Sequence, residues 1–470
     1  VVDVYNQIGV DAAAVGNHEF DFGMPVLKQR MADAKFPFLT ANVFLKGTKT
    51  RPDWAKPTAI IQKGDLKIGV IGLSTKETPL TTNPVNIAEY DFVPGGPVAA
   101  ELADELRAQG CNIVLITAHM GPKGDNEIGT VAVAVKGKVD AIVSGHHHES
   151  IDRPLVIANI PIVQMGSRLI AFSTIELTIG PNGRVTQYSV NDGNFPTQGA
   201  PQQLLHTADG LPAQYRGRTI EPDGAVAGIL RDYDVQVKKL RETVIAHSNV
   251  TLTKGGHDEL LANLCADALR SGAGGSIKAD FAFQNGGGIR VSEIPMGDIT
   301  FGQIFDLYPF DNQQVVVSLP ANQVRDALEV VLRAGKGPLR VSGLKYTVDW
   351  TKYGAGKGAP TPPGSIVTEV TDLNTNKPLC VTKSCTATEC VSECATGTFT
   401  LSVTDFLANG GDGLTMLKDG QRQIGNVLAR DIIVAFVKEH SPLTAQALGA
   451  VSAGGPQRIQ TTGSAKGPAE

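Results

Sequence analysis

The sequence predicts an α/β fold in which a layered sandwich domain is joined by a linker helix to a second α/β domain. The chain has 470 residues, more than the roughly 100–200 residues of a typical single domain. Short apolar runs rich in β-branched residues alternate with amphipathic stretches along most of its length. This alternation is typical of strands that alternate with helices in layered α/β domains.

The elements of the first domain follow from hydrophobic spacing. Buried strands are predicted at Lys67–Leu73, Asn112–Ala118 and Val139–Ser144, because these runs are short, apolar and bounded by turn residues. Between the first two runs, residues 98–106 repeat apolar side chains at intervals of four. This spacing predicts an amphipathic helix, with Gly110 at the position of a C-terminal cap.

A longer helix separates the two domains. Apolar side chains keep helical spacing from Ala225 to Ala246. We therefore assign residues 1–220 to the first domain and residues 221–248 to a linker helix. Strand and helix patterns alternate again over residues 249–450, which form the second domain. Residues 451–470 are rich in small and polar residues, so a disordered tail is predicted there.

Composition and charge exclude several classes of protein. The formal net charge is −5 and no basic run or basic helical stripe is present, so a nucleic acid is not an expected partner. The chain also lacks the run of about 18 apolar residues that an integral membrane protein needs. A small-molecule substrate is therefore expected, and the oligomeric state stays open.

Four of the six cysteines crowd into one short stretch, as Cys380, Cys385, Cys390 and Cys394. Their spacing differs from the CxxC pairs of zinc ribbons and no histidine lies nearby, so two local disulfides are predicted, with three possible pairings. Such disulfides indicate an oxidising compartment, hence a periplasmic or extracellular location. Free thiols in a surface loop of a cytosolic protein are the alternative.

Three polar clusters follow predicted strands, where α/β sheets place their ligand-binding loops. The clusters are residues 16–21, 118–121 and 145–148, and they hold five of the nine histidines. Imidazole and carboxamide groups without a nearby thiolate favour a catalytic divalent ion such as Zn, Mn or Co. In an extended segment His146 and His148 would point the same way, and His147 would face away from them.

His18 and Asp21 stand three residues apart in the first of these clusters. A carboxylate at this spacing can bond one imidazole nitrogen and direct the other nitrogen toward a substrate. The alternative role for Asp21 is a cap at the start of a helix.

A second constellation lies in the second domain. An apolar strand ends in Asn285, which is followed by three glycines and then Arg290. Glycines let a ligand approach the backbone closely, and Arg offers a planar fork for phosphate or carboxylate. Downstream, residues 308–312 and 405–413 each combine an aromatic side chain with polar groups. Two such aromatics could enclose a base, although glycine triplets also form plain turns and isolated Phe residues often belong to a core.

The motifs Gly16-Asn17-His18-Glu19-Phe20-Asp21, Ala118-His119-Met120-Gly121 and Gly145-His146-His147-His148, in this order, resemble those of the 5′-nucleotidase / UDP-sugar hydrolase family of two-metal phosphoesterases. The resemblance covers nearly the whole chain. It implies a metallophosphoesterase domain followed by a C-terminal nucleotide-binding domain.

The resemblance also implies a role for each motif residue. In the first domain it implies Asn17, His119 and His146 as ligands of one metal ion, His148 as a ligand of the other, and His18 with Asp21 as a dyad that stabilises the phosphoryl transition state. In the second domain it implies Asn285 and Asn312 at the edge of the base, Phe310 and Phe406 stacked on the base, Asp412 on the ribose, Arg290 on the phosphate, and Gly287 and Gly343 in the site-lining loops.

This sequence departs from the family pattern in two places. The family's Asp-x-His and Gly-Asp segments, which complete its pair of metal sites, do not precede Gly16 here. We expect them upstream in the natural protein, and we expect this chain to hold at most one ion and to hydrolyse esters poorly. The family's further arginines near a helix start are replaced by residues 256–259, which leaves the preference between mono- and diphosphates open.

The sequence thus predicts a metal-dependent hydrolase that releases phosphate from nucleoside 5′-monophosphates. UDP-sugars and nucleoside diphosphates are further candidate substrates. A 2′,3′-cyclic nucleotide phosphodiesterase or a thiosulfohydrolase on the same scaffold is the alternative enzyme. A non-catalytic nucleotide-binding protein is the alternative from another class.

Overall fold

A computed structural model describes residues 1–122, 126–151, 155–167, 169, 171–191, 202–203, 213–255, 259–353, 364–386 and 388–462. The chain forms two compact units, Val1–Tyr233 and Asp234–Glu470. Both units combine helices with strands, as predicted, and the division between them falls within a helix. None of the helices among the described residues is long and apolar enough to cross a bilayer.

The first unit is built from the following elements. Its helices are α1 (Val2–Ile8), α2 (Gly23–Asp33), α3 (Thr78–Thr81), α4 (Gly95–Ala108), α5 (Glu127–Ala134) and α6 (Gly224–Arg241), the last of which extends past the division. Its strands are β1 (Ala13–Ala14), β2 (Phe38–Leu39), β3 (Val43–Leu45), β4 (Thr58–Lys63), β5 (Leu66–Ser74), β6 (Tyr90–Phe92), β7 (Ile113–His119), β8 (Ala141–Ser144), β9 (Leu155–Ile157), β10 (Ile160–Val163), β11 (Ala171–Phe172), β12 (Ile175–Ile179), β13 (Val185–Val190), β14 (Gln202–Gln203), β15 (Gln214–Tyr215) and β16 (Arg218–Thr219).

A six-stranded sheet forms the centre of this unit, in the order β4-β5-β7-β8-β10-β9. β5, β7, β8 and β10 run parallel, and antiparallel β4 and β9 form the edges. The inner strands read as apolar runs because parallel sheets are covered on both faces. Apolar side chains of α4 and α5 pack with those of the sheet in one core.

A glycine allows a second layer to pack on this sheet. A Cβ atom at Gly72 of β5 would lie 2.4 Å from the backbone carbonyl carbon and oxygen of Leu39. Backbone groups hold the two segments together here, since the Ala41 amide donates to the Gly72 carbonyl at 2.8 Å. The absence of a side chain at residue 72 therefore lets β2 and the chain after it approach β5.

The second unit contains the remaining elements. Its helices are α7 (Leu260–Ser271), α8 (Phe301–Leu307), α9 (Ala321–Arg333), α10 (Trp350–Tyr353), α11 (Asp405–Ala408) and α12 (Ala429–Glu439). Its strands are β17 (Val244–Ser248), β18 (Leu252–Thr253), β19 (Phe281–Gln284), β20 (Glu293–Ile294), β21 (Gly297–Thr300), β22 (Gln313–Pro320), β23 (Arg340–Ser342), β24 (Leu344–Asp349), β25 (Val367–Asp372), β26 (Lys377–Cys385), β27 (Cys390–Cys394), β28 (Thr398–Thr404), β29 (Gln421–Leu428) and β30 (Ile459–Thr462).

Two five-stranded sheets dominate this unit, with the orders β23-β19-β28-β22-β29 and β27-β26-β25-β24-β30. Alternate residues of β19 serve different cores, because successive strand side chains point to opposite faces. Phe281 and Phe283 join a core with α9 and the second sheet, whereas Ala282 joins a core with α7 and α12. The first sheet is thus covered on both faces.

Two sequence-based expectations about the ends of this unit require correction. The predicted linker helix ends at Arg241, because Val244–Ser248 forms a strand that pairs with β21. The predicted disordered tail contains β30, which pairs in parallel with β24. The side chain of Arg458 also holds this segment through two bonds to the Asp267 carboxylate, at 2.7 and 2.8 Å. Residues 463–470 of the expected tail lie outside the described residues.

The clustered cysteines form two disulfides, as predicted. Cys380 pairs with Cys394, and Cys385 pairs with Cys390. The pairing follows from register, since each pair stands directly opposite across the hairpin of β26 and β27. Nested cross-strand disulfides therefore close this hairpin at both ends.

We predict that Gly72→Ala destabilises the first unit by about 1–3 kcal/mol, because the added methyl group overlaps the Leu39 backbone. Gly228→Ala in α6 is the matched control, since nothing lies within 4 Å of a Cβ atom there. The control should be neutral or stabilising by up to about 1 kcal/mol, because Ala favours the helix. Urea unfolding of both variants tests this, and equal stabilities would contradict the close approach of the two layers.

Candidate active site

The register of the parallel strands gathers the three histidine-containing clusters at one edge of the central sheet. Ser74 at the end of β5 stands opposite His119 at the end of β7, and Ala118 stands opposite Ser144 at the end of β8. The Ser74 hydroxyl donates to the carbonyl of Val15 at 2.6 Å. This bond ties the start of the first cluster to the same edge.

Asn17, His119 and His146 come together at this edge. Nε2 of His119 lies 3.0 Å from Oδ1 of Asn17, whose Nδ2 donates to the Thr81 carbonyl at 2.9 Å. The rings of His119 and His146 lie 5.1 Å apart between centroids. A Cβ atom at Gly16 would lie 2.8 Å from the His119 ring, so only glycine leaves room for this imidazole.

The donor set of this cluster fits a divalent ion. Two ligand atoms that each lie about 2.1 Å from one ion are separated by roughly 3.0–3.4 Å, and the Asn17 and His119 atoms have this separation. Burial, together with the imidazoles of His18, His148 and His147, lowers the pKa of His119 to about 4. A neutral imidazole is the form that binds a metal.

His18 and Asp21 form the dyad that their spacing predicts. Nδ1 of His18 lies 2.7 Å from Oδ2 of Asp21, and the hydroxyl of Thr82 donates to Oδ1 of the same carboxylate at 2.9 Å. The residues from His18 to Phe20 form a 3-10 turn, and Phe22 precedes α2. Asp21 therefore orients the imidazole. It does not cap the start of a helix, which was the alternative role.

The loop after β8 differs from the extended geometry predicted for it. His146 and His148 both have positive φ, at 78° and 55°, so alternation of side-chain directions does not apply. The prediction that His147 faces away from its neighbours is wrong: ligand atoms of His146, His147 and Glu77 lie within 4.8 Å of one another. The His146 and His147 rings are 4.9 Å apart between centroids.

In the second unit, Asn285 and Asp412 meet in a buried polar pair. Nδ2 of Asn285 donates to Oδ2 of Asp412 at 2.7 Å. Burial raises the pKa of Asp412 to about 6, while the Asn285 hydrogen bond and the Lys336 ammonium oppose the rise. Residue 412 also has φ +52°, a left-handed conformation that Asp tolerates better than most residues. The fold thus maintains a carboxylate in an unfavourable environment.

Arg290 and Phe310 also lie together. The Arg290 guanidinium lies 5.6 Å from the centre of the Phe310 ring and donates to the carbonyl of Gly287 at 3.2 Å. A cation over an aromatic face in this range is attracted by the ring quadrupole. The glycine-rich turn therefore holds the end of the arginine next to the aromatic side chain.

The other residues that are predicted to bind the nucleotide each lie in a different environment. Asn312 donates through Nδ2 to Asp405 at 2.8 Å. The ring of Phe406 covers Gly411, where a Cβ atom would lie 2.5 Å from it, so one face of that ring is occupied. Gly343 has φ +81°, and a Cβ atom there would lie 2.3 Å from the Asp280 carbonyl oxygen. The positive φ and the nearby carbonyl oxygen therefore explain why residue 343 is a glycine.

Several known proteins are similar to this chain in sequence. The sequence profile of the 5′-nucleotidase C-terminal domain matches residues 241–419. The chain is 31% identical over 363 residues to a 5′-nucleotidase of Vibrio cholerae, a match that covers 69% of this chain and 62% of that protein. It is 27% identical over 477 residues to the protein UshA of Yersinia enterocolitica, which covers 94% of this chain and 79% of that protein. The chain belongs to the 5′-nucleotidase family. As a member of this family it is a phosphoester hydrolase.

Solved structures agree with the fold of a 5′-nucleotidase. A 5′-nucleotidase precursor from Thermus thermophilus has a TM-score of 0.74 and 24% identity, with 99% of this chain and 86% of that chain covered. The sulfate thiohydrolase SoxB of Thermus thermophilus has a TM-score of 0.70 and 17% identity, with 99% and 75% covered. At these identities the similarity shows a shared two-domain architecture, as the sequence motifs predicted.

Glu77 is a residue at this edge that the sequence motifs did not indicate. Its Oε2 lies 4.0 Å from Nε2 of His146. The sequence does contain an indication of this position. Glu77 closely follows the predicted strand that ends near Leu73, just as the histidine-containing clusters follow their strands. Residues 74–78, Ser-Thr-Lys-Glu-Thr, contain no histidine, so this segment does not stand out as a metal-binding motif.

We predict that Asp412→Asn changes the pH dependence of stability. Below about pH 4 the Asp412 carboxyl is neutral in both states, and above about pH 6 it is charged in both. Its contribution to the free energy of unfolding therefore falls as pH rises between these values, by at most about 3 kcal/mol.

Asn keeps an acceptor for Asn285 but cannot ionise. The free energy of unfolding of the variant, minus that of the unaltered chain, should therefore be larger at about pH 7.5 than at about pH 4.5. Urea unfolding of both chains at the two pH values measures this difference. The same stability difference at both pH values would contradict the burial cost assigned to Asp412.

Proposed function

We propose that this chain hydrolyses nucleoside 5′-monophosphates in a metal-dependent reaction. The observation that carries the proposal is the His18–Asp21 pair, joined at 2.7 Å, on the same loop as Asn17, which lies 3.0 Å from His119. An acid group held by a carboxylate beside a cluster of neutral metal-binding side chains matches the needs of phosphoester cleavage.

Asn17, His119 and His146 would hold a divalent ion, with His148 as a further ligand implied by the motif. A bound ion of this kind supplies Lewis-acid stabilisation of charge and lowers the pKa of a bound water. Imidazole and amide ligands suit Zn, Mn or Co better than Ca. The chain's own contribution is to fix these ligands through Gly16 and the Thr81 carbonyl.

His18 would act on the phosphoryl group directly. Its side chain is 40% exposed, so a substrate can reach the imidazole ring. Asp21 fixes the tautomer and the direction of the ring. His18 would donate a hydrogen bond to a phosphoryl oxygen, or a proton to the leaving oxygen of the ester.

The second unit would recognise the nucleoside. Asp412 would accept hydrogen bonds from ribose hydroxyls, and Asn285 would hold that carboxylate at 2.7 Å while contacting the base edge. The free face of Phe406 and the ring of Phe310 would stack on the base, and Arg290 would meet the phosphate. UDP-sugars and nucleoside diphosphates belong in the same substrate panel, because Arg290 can pair with any of these phosphates.

The protein would function outside the cytosol. Two disulfides close one short hairpin, and structural disulfides persist in oxidising compartments such as the periplasm or the extracellular space. Growth with and without reductant, followed by thiol titration of the purified protein, tests this location.

We predict that His18→Asn lowers kcat for AMP hydrolysis by about 10²–10⁴-fold, because it removes the proton donor. The KM should change little, since nucleoside recognition lies in the second unit. Phosphate release with added Mn, Co or Zn measures both constants. A variant with unchanged kcat would show that His18 does not take part in the chemistry.

We predict that Phe406→Ala weakens AMP binding by about 1–3 kcal/mol, because one stacking partner of the base is lost. Phe44→Ala is the control, since Phe44 is a partly buried aromatic of the first unit that stacks with Arg51. Equilibrium titration with AMP in the presence of a chelator measures affinity without turnover. Equal affinities of the two variants would contradict base stacking on Phe406.

A further inference from the structure

A hydrogen bond between side chains joins the two segments that carry the aromatic rings of the second unit. Nδ2 of Asn312 donates to Oδ1 of Asp405 at 2.8 Å. Asn312 follows Phe310 by two positions. Asp405 directly precedes Phe406 and is the first residue of α11. The polar pair therefore lies between the two rings that are expected to stack on the base.

The chemistry of Asp405 fixes the orientation of the Asn312 amide. Oδ1 of Asp405 also accepts the backbone amide of Phe406 at 2.9 Å. A backbone amide can only donate, so this oxygen acts as an acceptor, and the group of Asn312 that faces it is the NH2 group. The other branch of the amide is Oδ1 of Asn312, which accepts no hydrogen bond within the described part of the chain.

The start of α12 holds the backbone around Asn312. The amide of Ala429 donates to the Asn312 carbonyl at 2.8 Å. Arg430 donates through Nη2 to Oδ1 of Asp311 at 2.9 Å, and its guanidinium lies 4.8 Å from the centre of the Phe305 ring. The Arg430 side chain is only 11% exposed. Backbone and side-chain bonds thus fix Asn312 together.

We propose that Asp405 is a positioning residue that holds Asn312 with its oxygen toward the nucleobase, so that the site favours bases with an exocyclic amino group. Adenine and cytosine carry an amino group, which donates hydrogen bonds, where hypoxanthine and uracil carry an oxo group, which only accepts. The exocyclic substituent extends furthest from a stacked ring toward a side chain at its edge. An oxo group there would meet a second acceptor, and neither oxygen would gain a partner.

This inference rests on the proposed function and deepens it, because it names the class of nucleobase. The experiment measures kcat and KM for phosphate release from AMP, IMP, CMP and UMP with the 470-residue chain. AMP and IMP form one matched pair, and CMP and UMP form the other. The unaltered chain should favour AMP over IMP and CMP over UMP in kcat/KM by about 10-fold, mainly through KM.

Variants separate positioning from a purely structural role. In Asp405→Asn the side chain at position 405 can donate as well as accept, so Asn312 can turn and both preferences should shrink to within about threefold. A structural role alone would lower activity on all four nucleotides and leave the ratios unchanged. Asn312→Leu removes the acceptor while Asp405 stays in place, and it should abolish both preferences.

The matched control is Asp298→Asn, which makes the same chemical change at an exposed residue that pairs with His247. It should keep both preferences of the unaltered chain. Thermal melting checks that each variant is folded. If Asp405→Asn does not fold, Asn312→Leu and the four nucleotides with the unaltered chain still decide the proposal.

The outcomes distinguish this base preference from the proposed function. Equal kcat/KM for amino and oxo nucleotides in the unaltered chain, or an undiminished amino preference in folded Asp405→Asn or Asn312→Leu, would overturn the inference and leave hydrolysis standing. If none of the four nucleotides is hydrolysed, the proposed function fails. Equilibrium titration of the same nucleotides in the presence of a chelator then decides the base preference by affinity.

Discussion

The parallel register of β5, β7 and β8 is the constraint on which the rest of the first unit depends. Parallel strands point their carboxyl ends the same way, and hydrogen bonding sets those ends level, so Ser74, His119 and the start of the 145–148 loop share one edge. Ser74 adds the 16–21 loop through its bond to Val15. A shift of one residue in register would turn His119 to the other face of the sheet.

Glycine residues are the second recurrent feature of this unit, because close contacts between its segments occur where a residue has no side chain. Gly16 leaves space for the ring of His119, Gly121 for the ring of His147, and Gly72 for the backbone of Leu39. These are steric requirements of packed groups. The local stability cost of glycine is offset because the approach brings polar groups from separate segments within bonding distance.

The second unit holds its polar residues by burial and mutual hydrogen bonds. Asp412 keeps a raised pKa because the site around it excludes water, and Asn285 compensates part of that cost with a bond of 2.7 Å. Such an arrangement stabilises the fold poorly but maintains a carboxylate with a defined direction. The same logic applies in the first unit, where the buried Glu127 orders the turn that carries Glu77.

The sequence by itself determined the α/β class, the inner strands β5, β7 and β8 with helix α4, the two local disulfides and the His18–Asp21 pair. Each of these depends on periodicity or on residues close together in the chain. Tertiary structure alone decided the pairing of the cysteines, the end of the linker helix at Arg241 and the strand at Ile459–Thr462.

Tertiary structure also decided which imidazole of the 145–148 loop lies beside Glu77. A strand-like alternation was a reasonable prediction for His146 and His148, but positive φ values turned the backbone. Gly121, more than twenty residues away in the chain, leaves the space that the His147 ring occupies. Side-chain direction in a loop is set by such distant contacts, whereas local sequence sets only which residue types are present.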